Sequence, residues 1–308
     1  MVQLILNCPA KLNLYLHITK KRADGYHNLE SFMVPINWFD KLKIESVNNN
    51  KIIRTGDLVS LPEDDLCLKA ANELKDYSGT NYGCKIHLKK NIPVGSGLGG
   101  GSSNAASTLL ALNKIWSLHL PKKLLFQIAK NVGADVPFFI SQHSAYIAGI
   151  GDKVLPIKMI DNLPQHFLVI VPDLKVKTKF IFENLKLDKF TKENKFLDFL
   201  NLNHLDNKQN IGNKPIWKYG KNDLEETACY HFPIIKKYID LLKYVAKPFG
   251  IDETSCRLSG SGGAIFCSIN SKKNTLEIFE RLNEAIKKNR KLKNTKLKIC
   301  KLNTKIYD

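Results

Sequence analysis

The segment Pro93-Val94-Gly95-Ser96-Gly97-Leu98-Gly99-Gly100-Gly101-Ser102-Ser103 contains five glycines and ends on two serines, a residue type that often caps helices. Glycine lets successive backbone N–H groups turn toward one point, and the first turn of a helix adds N–H groups that lack a partner within the helix. Apolar residues follow at helical spacing, namely Ala105, Leu109, Leu112 and Trp116. The segment therefore predicts a loop that leads into a helix and binds a chain of phosphates.

The spacing of this loop separates it from three other glycine-rich phosphate loops. A dinucleotide fingerprint, which Gly95, Gly97 and Gly100 fit, also needs an acidic residue about twenty positions later, and residues 102–134 contain none. A Walker A loop needs a lysine where this chain has Gly101. A protein-kinase loop needs a valine where Ser102 stands, and later motifs that this sequence lacks. A flexible surface turn is the remaining plain alternative.

Two further segments join the glycine-rich loop in a family resemblance. Pro9-Ala10-Lys11-Leu12-Asn13-Leu14 lies near the N-terminus, and Leu258-Ser259-Gly260-Ser261-Gly262-Gly263-Ala264 lies near the C-terminus. Together the three segments resemble the signatures of the GHMP kinases, the small-molecule kinases named for galactose, homoserine, mevalonate and phosphomevalonate. Three motifs in the expected order across most of the chain are far more specific than any one of them.

Two more blocks narrow the resemblance within that family. They are Arg22-Ala23-Asp24-Gly25-Tyr26-His27 and Gly133-Ala134-Asp135-Val136-Pro137-Phe138-Phe139. Both are similar to the family members that act on a cytidine-diphosphate-linked methylerythritol, in the non-mevalonate route to isoprenoid precursors. The resemblance implies ATP-dependent phosphorylation of the 2-hydroxyl of that compound, giving the 2-phosphate and ADP. The alternatives are another GHMP kinase, acting on homoserine, mevalonate or a sugar, and a basic RNA-binding protein.

The resemblance implies catalytic roles for Asp135 and Lys11. Asp135 would accept the proton of the substrate hydroxyl, although its position two residues before Pro137 also fits a plain helix N-cap. Lys11, which by itself would be an ordinary surface lysine on a strand, would pair with Asp135 and stabilise charge on the transferred group. Asn13, on the same face of that strand, would form a hydrogen bond to the substrate.

The resemblance also implies which residues bind the base and the phosphates. Tyr26 would stack on the cytosine and His27 would hydrogen-bond its edge, whereas the sequence alone predicts only a turn with a structural aromatic. By a looser match, Thr178 and Phe182 would supply the opposite face. The loop from Ser259 to Gly263 would close over the phosphates or the substrate, its plain alternative being a hairpin turn.

A magnesium ion is implied by ATP, because Mg²⁺ neutralises the β- and γ-phosphate oxygens. Its protein ligands are unknown from the sequence, apart from a possible contribution of Ser102 or Ser103. The histidines show no metal-ligand spacing. The seven cysteines are scattered and odd in number, which indicates reduced thiols rather than a disulfide framework or a zinc site.

The net charge of +18 raises the question of nucleic-acid binding. The densest basic stretch, residues 272–305, lacks the interleaved aromatics of a base-stacking surface, so we expect only non-specific attraction at low salt. No apolar run is long enough for a membrane helix and no signal peptide is evident, which predicts a cytoplasmic protein without a membrane partner. The sequence does not indicate an oligomeric state.

The order of elements predicts an α+β fold of two domains, like that of the GHMP kinases. An N-terminal α/β domain, residues 1–157, would carry the phosphate loop, and a C-terminal α+β domain with an antiparallel sheet would span residues 158–308. Strands are predicted at residues 2–6, 12–18, 42–47, 84–88, 167–171, 256–258, 264–269 and 297–302. Helices are predicted at residues 64–77, after the glycine loop, from 121 to the Gly133 cap, and at 234–245 and 274–287. The Lys/Asn-rich segment 183–223 and the basic tail have no predicted role.

Overall fold

The computed structural model describes residues 2–57, 62–157, 163–187, 190–191, 220–289, 292 and 294–303. Most of the Lys/Asn-rich segment 183–223 lies outside the described residues. The chain opens with a long antiparallel hairpin made of strands β1 (Gln3–Lys21) and β2 (His27–Val47). The two short strands predicted within residues 2–18 are thus one strand. Its register with β2 shifts at Pro9, because proline has no N–H for the ladder.

Among the described residues, the first sheet has six strands. Strands β3 (Ile52–Gly56), β4 (Gly83–Lys89), β5 (Ala145–Ala148) and β6 (Lys153–Pro156) complete the order β3-β4-β2-β5-β6, with β1 paired to β2. Four helices accompany it, namely α1 (Leu66–Ser78), α2 (Gly100–Ile115), α3 (Lys122–Val132) and α4 (Val136–Ser141). Helix α2 follows the glycine-rich loop as predicted and packs against β1 and β2.

The second sheet is antiparallel throughout, with strand order β10-β7-β9-β8. Its strands are β7 (His166–Val171), β8 (Cys256–Leu258), β9 (Ile265–Ile269) and β10 (Lys296–Lys301). Helices α5 (Thr178–Glu183), α6 (Glu225–His231), α7 (Pro233–Ala246) and α8 (Lys272–Lys288) lie in the same part of the chain. The predicted α+β class with an antiparallel second sheet is confirmed. The domain boundary at residue 157 stays a prediction, and it falls where one sheet ends and the next begins.

The two sheets share apolar packing and backbone contacts. One buried cluster joins Leu12 and Phe32 of the first sheet to Phe167 and Phe266 of the second. The backbone N–H of Asn13 on β1 also donates to Ser259 Oγ, 3.1 Å away, in the loop between β8 and β9. The fold therefore places the N-terminal and C-terminal motifs next to each other.

The helix starts correct one expectation about capping. Helix α2 begins at Gly100, and its N-cap is Gly99 with a positive φ of 71°. Ser102 and Ser103 therefore lie inside the first turn and do not cap it. Helix α3 ends before Gly133 as predicted, with that glycine in an ordinary extended conformation. Among the described residues, no helix is both long enough and apolar enough to cross a membrane.

Candidate active site

The three sequence motifs meet around one cavity of about 410 Å³. Its wall combines residues of β1, the glycine-rich loop, the start of α4, α5 and the loop between β8 and β9. The predicted site residues on this wall are Lys11, Asn13, Pro93 to Ser102, Asp135, Thr178, Phe182, Gly260 and Ser261. Elements that are far apart in sequence are thus brought to one place by the two sheets.

The glycine-rich loop has the backbone that the sequence predicts for a phosphate cradle. Gly95, Gly97 and Gly99 all have positive φ, at 72°, 80° and 71°, which side chains other than glycine rarely tolerate. The loop ends at the N-terminus of the 16-residue helix α2, whose unpaired N–H groups and dipole favour an anion. Loop and helix together form a concave surface that can bind phosphate.

The two glycine loops touch each other. The backbone N–H of Ala264 donates to Ser96 O at 2.9 Å. A Cβ atom added to Gly262 would lie 2.4 Å from Gly97 Cα, so a side chain at that position has no room. The loop from Ser259 to Gly263 therefore packs directly on the phosphate loop, in addition to forming a hairpin turn.

Lys11 and Asp135 face each other on the cavity wall. Lys11 Nζ lies 3.6 Å from Asp135 Oδ2 and donates to Asn13 Oδ1 at 2.6 Å. Asp135 occupies the N-cap position of α4, but its side chain makes no capping hydrogen bond. About a third of that side chain is exposed, whereas that of Lys11 is buried. The carboxylate is thus open to the cavity, with a buried ammonium beside it.

The residues predicted to bind the base are only partly brought together. Thr178 Oγ1 and Ser261 Oγ are 2.7 Å apart on the cavity wall. The rings of Phe182 and His27 are in contact, with centroids 5.7 Å apart. Burial lowers the pKa of the His27 ring, and Lys21 lowers it further.

Tyr26 lies apart from this group, at the tip of the hairpin between β1 and β2. Its side chain is 63% exposed. Neither Tyr26 nor His27 is among the described residues that line the 410 Å³ cavity. His27 instead lines a neighbouring hollow with Lys21 and residues 185–187 and 190. The hollow adjoins the cavity through Phe182, which contacts His27 and lines the cavity.

The sequence motifs did not include a buried ion pair behind the glycine-rich loop. Lys90 lines the cavity, and its ammonium contacts the carboxylate of Asp40 and Asn104 Oδ1. Asp40 is fully buried and also accepts from the backbone N–H groups of Asn91 and Ile92, at 2.7 and 2.8 Å. The pair fixes the chain just before the loop. Lys90 is close to the loop in sequence, but nothing in the sequence links it to Asp40.

A second group outside the motifs holds the loop between β8 and β9. Asn222 Nδ2 donates to Leu258 O and Gly260 O, at 2.9 and 2.7 Å. Glu225 accepts from the backbone N–H of Leu258 at 2.7 Å, and burial raises the pKa of its carboxyl. Asn222 lies just before helix α6 and Glu225 is its first residue, next to a segment whose Lys/Asn-rich composition hides any motif.

Comparison with known proteins agrees with this geometry. Residues 65–143 match the family model of the GHMP kinases N terminal domain. A 4-diphosphocytidyl-2-C-methyl-D-erythritol kinase from Burkholderia orbicola (strain MC0-3) is 39% identical over 271 residues, which cover 86% of each chain. The chain belongs to the 4-diphosphocytidyl-2-C-methyl-D-erythritol kinase family. A relative of the same name from Paracidovorax citrulli (strain AAC00-1) is 37% identical over 265 residues.

Solved structures show the same fold for this kinase. A crystal structure of 4-(cytidine 5'-diphospho)-2C-methyl-D-erythritol kinase aligns with a TM-score of 0.75 at 27% identity, covering 97% of this chain and 100% of the other. A homoserine kinase from Cytophaga hutchinsonii aligns with a TM-score of 0.72 at 16% identity, covering 99% and 96%. The second match shows the shared fold alone. The chain is an ATP-dependent small-molecule kinase with the GHMP kinase fold.

Proposed function

We propose that this kinase transfers the γ-phosphoryl group of ATP to the 2-hydroxyl of 4-diphosphocytidyl-2-C-methyl-D-erythritol, giving the 2-phosphate and ADP. The observation that carries the proposal is the Lys11–Asp135 pair, 3.6 Å apart on the wall of the cavity that the two glycine loops also line. A phosphate-binding backbone and a carboxylate–ammonium pair in one cavity are what phosphoryl transfer to an alcohol requires. The identity of the substrate in this proposal comes from the names of the relatives.

The backbone of the glycine-rich loop would bind the phosphates of ATP. Three positive φ angles and the start of α2 support this assignment, since they turn N–H donors toward one anion. The loop from Ser259 to Gly263 would cover the phosphates from the second domain.

Asp135 would hold the substrate hydroxyl and take its proton as the new bond forms. Phosphoryl transfer passes through a loose transition state, so the carboxylate contributes chiefly by aiming the oxygen at the phosphorus. Lys11 would keep Asp135 ionised and stabilise negative charge on the transferred group. Asn13 Oδ1 accepts a hydrogen bond from Lys11 Nζ at 2.6 Å, so Asn13 would fix the direction of that ammonium. Asn13 would also form a hydrogen bond to the substrate.

Magnesium would be held mainly by the phosphates themselves. The described residues contain no group of three His, Cys, Asp or Glu side chains arranged for a metal ion. Of the two candidate serines, Ser102 lines the cavity and could add a hydroxyl ligand, whereas Ser103 is fully buried. When bound, the ion neutralises charge on the β- and γ-phosphate oxygens.

Residues at the tip of the hairpin between β1 and β2 would bind the cytosine. A neutral His27 ring offers one donor and one acceptor to the edge of a base, and its lowered pKa favours the neutral form at pH 7. Phe182, in contact with His27 and on the cavity wall, supports a path from the base to the reacting hydroxyl. Tyr26 is exposed, as expected of a ring that only a bound base would cover.

Replacing Tyr26 tests the base assignment. An aromatic ring stacked on a base contributes about 1 to 3 kcal/mol, so Tyr26→Ala should raise the KM for the cytidine compound roughly 5- to 150-fold. The KM for ATP should stay at the wild-type value. Tyr244→Ala, which removes another strongly exposed tyrosine, is the matched control and should change neither constant. Equal KM values for Tyr26→Ala and wild type would remove Tyr26 from the site.

A steady-state assay of ADP release tests the substrate itself. We expect the enzyme to phosphorylate the cytidine compound and not free methylerythritol phosphate, homoserine, mevalonate or galactose. His27→Ala should relax the preference for the cytidine compound over its uridine analogue, because a base edge would lose its partner. Turnover of free methylerythritol phosphate, homoserine, mevalonate or galactose at a comparable rate would contradict the proposal. The cytoplasmic location stays a prediction.

A further inference from the structure

A chain of three hydrogen bonds runs behind Lys11, away from the cavity. Lys11 Nζ donates to Asn13 Oδ1 at 2.6 Å, Asn13 Nδ2 donates to Ser31 Oγ at 2.8 Å, and Ser31 Oγ donates to Tyr15 O at 2.6 Å. Ser31 lies on β2 and is fully buried. It is absent from the sequence motifs and from the wall of the cavity.

Both ends of this chain have a fixed direction. An ammonium can only donate, and a backbone carbonyl can only accept. The Ser31 proton therefore goes to Tyr15 O, and its oxygen must accept from the NH₂ group of Asn13. The carbonyl oxygen of the Asn13 amide is then the atom that faces Lys11. A reversed amide would set two donors against each other at Lys11 and leave Ser31 without a donor.

A bulge in β1 makes this arrangement possible. The register of β1 with β2 shifts between Asn13 and Tyr15, so that Asn13 faces Met33 whereas Leu16 faces Ser31. Leu14 is the extra residue, and it puts Asn13 and Leu16 on the same face of the sheet as Ser31. Ser31 thus lies under the cavity wall, close enough to fix a side chain that reaches into the cavity.

We propose that Ser31 is a positioning residue for phosphoryl transfer, which acts by fixing the orientation of the Asn13 amide and so the ammonium of Lys11. The inference rests on the proposed function, in which Lys11 and Asp135 act on the substrate. Asn13 is a neutral acceptor, so it directs Lys11 without neutralising it. The charge of Lys11 then remains available to Asp135, 3.6 Å away, and to the transferred group.

The test is a double-mutant cycle on kcat. Ser31→Ala removes a neutral hydrogen bond, so it should lower kcat roughly 2- to 13-fold, or about 0.5 to 1.5 kcal/mol, while the KM for ATP stays unchanged. In an Asn13→Ala background the same Ser31→Ala change should lower kcat less than about 2-fold, because the amide it orients is gone. An equal loss in both backgrounds would overturn the proposal, since it would mean that Ser31 acts only through general stability.

A matched pair of variants keeps the test decisive if Ser31→Ala folds poorly. Ser31→Thr and Ser31→Val add the same bulk to the buried position and differ only in the hydroxyl. Ser31→Thr should retain most of the wild-type kcat, and Ser31→Val should show the loss. Equal kcat values for this pair would overturn the proposal. If the wild-type enzyme in the same series did not turn over the cytidine compound, the proposed function itself would fail, whatever Ser31 does.

Discussion

Asp135 occupies the N-cap position of α4 without capping the helix. Its side chain forms no bond to the N–H groups of α4, and it faces Lys11 instead. Pro137 in the first turn has no N–H, so one of the groups that a cap would satisfy is missing. The local sequence therefore starts a helix and leaves the Asp135 carboxylate without a capping bond, facing Lys11.

The Asp135→Asn variant separates these two roles. We expect kcat to fall roughly 10²- to 10⁴-fold, the range for losing general acid–base help, with ATP binding nearly intact. Asp240→Asn, at an exposed ion pair on α7, is the control and should leave kcat unchanged. Initial-rate assays measure kcat, and nucleotide titration measures ATP binding. A folded Asp135→Asn enzyme with most of its turnover would reduce Asp135 to a structural residue.

The two glycine loops act as one element, because they meet at Gly97 and Gly262. The loop of the second domain packs on the phosphate loop with no room for a side chain between them. Asn222 holds the loop between β8 and β9 through two backbone carbonyls, and Asp40 holds the chain just before the glycine-rich loop. The proposed phosphate site thus draws on both domains, and each of its two loops is held by hydrogen bonds from a buried side chain behind it.

Two adjacent glycines give a matched test of this contact. A Cβ on Gly262 would meet backbone 2.4 Å away, whereas a Cβ on Gly263 would meet nothing closer than 3.5 Å, and neither residue has a positive φ. Gly262→Ala should push the loops apart and lower kcat/KM for ATP roughly 10- to 100-fold, since small displacements of a site are costly. Gly263→Ala should stay near wild type. Similar kinetics for the two variants would show that the loops need not touch.

The sequence predicted the elements that carry a local pattern. The glycine-rich loop, helix α2 and the strands around the second glycine loop follow from spacing and turn residues. The pattern predicts two short strands where the structure has the single strand β1. The continuity of β1 depends on pairing with β2 and on bulges, which a periodic pattern does not reveal. Asp40, Ser31 and Asn222 were missed for a related reason. Each supports the site through partners far away in sequence, so no motif marks it.

The high positive charge belongs to the whole molecule rather than to the site. The chain carries a net charge of +18, spread over its length. On α8, Lys273 and Lys288 approach Glu277 and Glu284 at 4.0 and 3.8 Å, so part of the basic tail is paired with acidic residues. Exposed pairs of this kind are weak, and we expect the charge to act as a diffuse field.

Binding to oligonucleotides tests this interpretation. The affinity should be low, indifferent to sequence, and largely gone by about 200 mM salt, because it would come from counterion release alone. Fluorescence anisotropy with several unrelated single strands, at increasing salt, measures it. Tight and sequence-selective binding at that salt would support the RNA-binding alternative instead.

In the proposed reaction the phosphoryl group goes to one tertiary hydroxyl beside Asp135. Phosphorus-31 NMR of the product tests it directly, after incubation with ATP, Mg²⁺ and the cytidine compound. The 2-carbon carries a methyl group and no hydrogen, so a phosphate on its oxygen gives a monoester signal without proton coupling. We expect that uncoupled signal with the wild-type enzyme and a strongly reduced one with Asp135→Asn. A signal split by neighbouring protons would place the phosphate on a primary or secondary hydroxyl instead. That result, or no new monoester at all, would rule out transfer to the 2-hydroxyl.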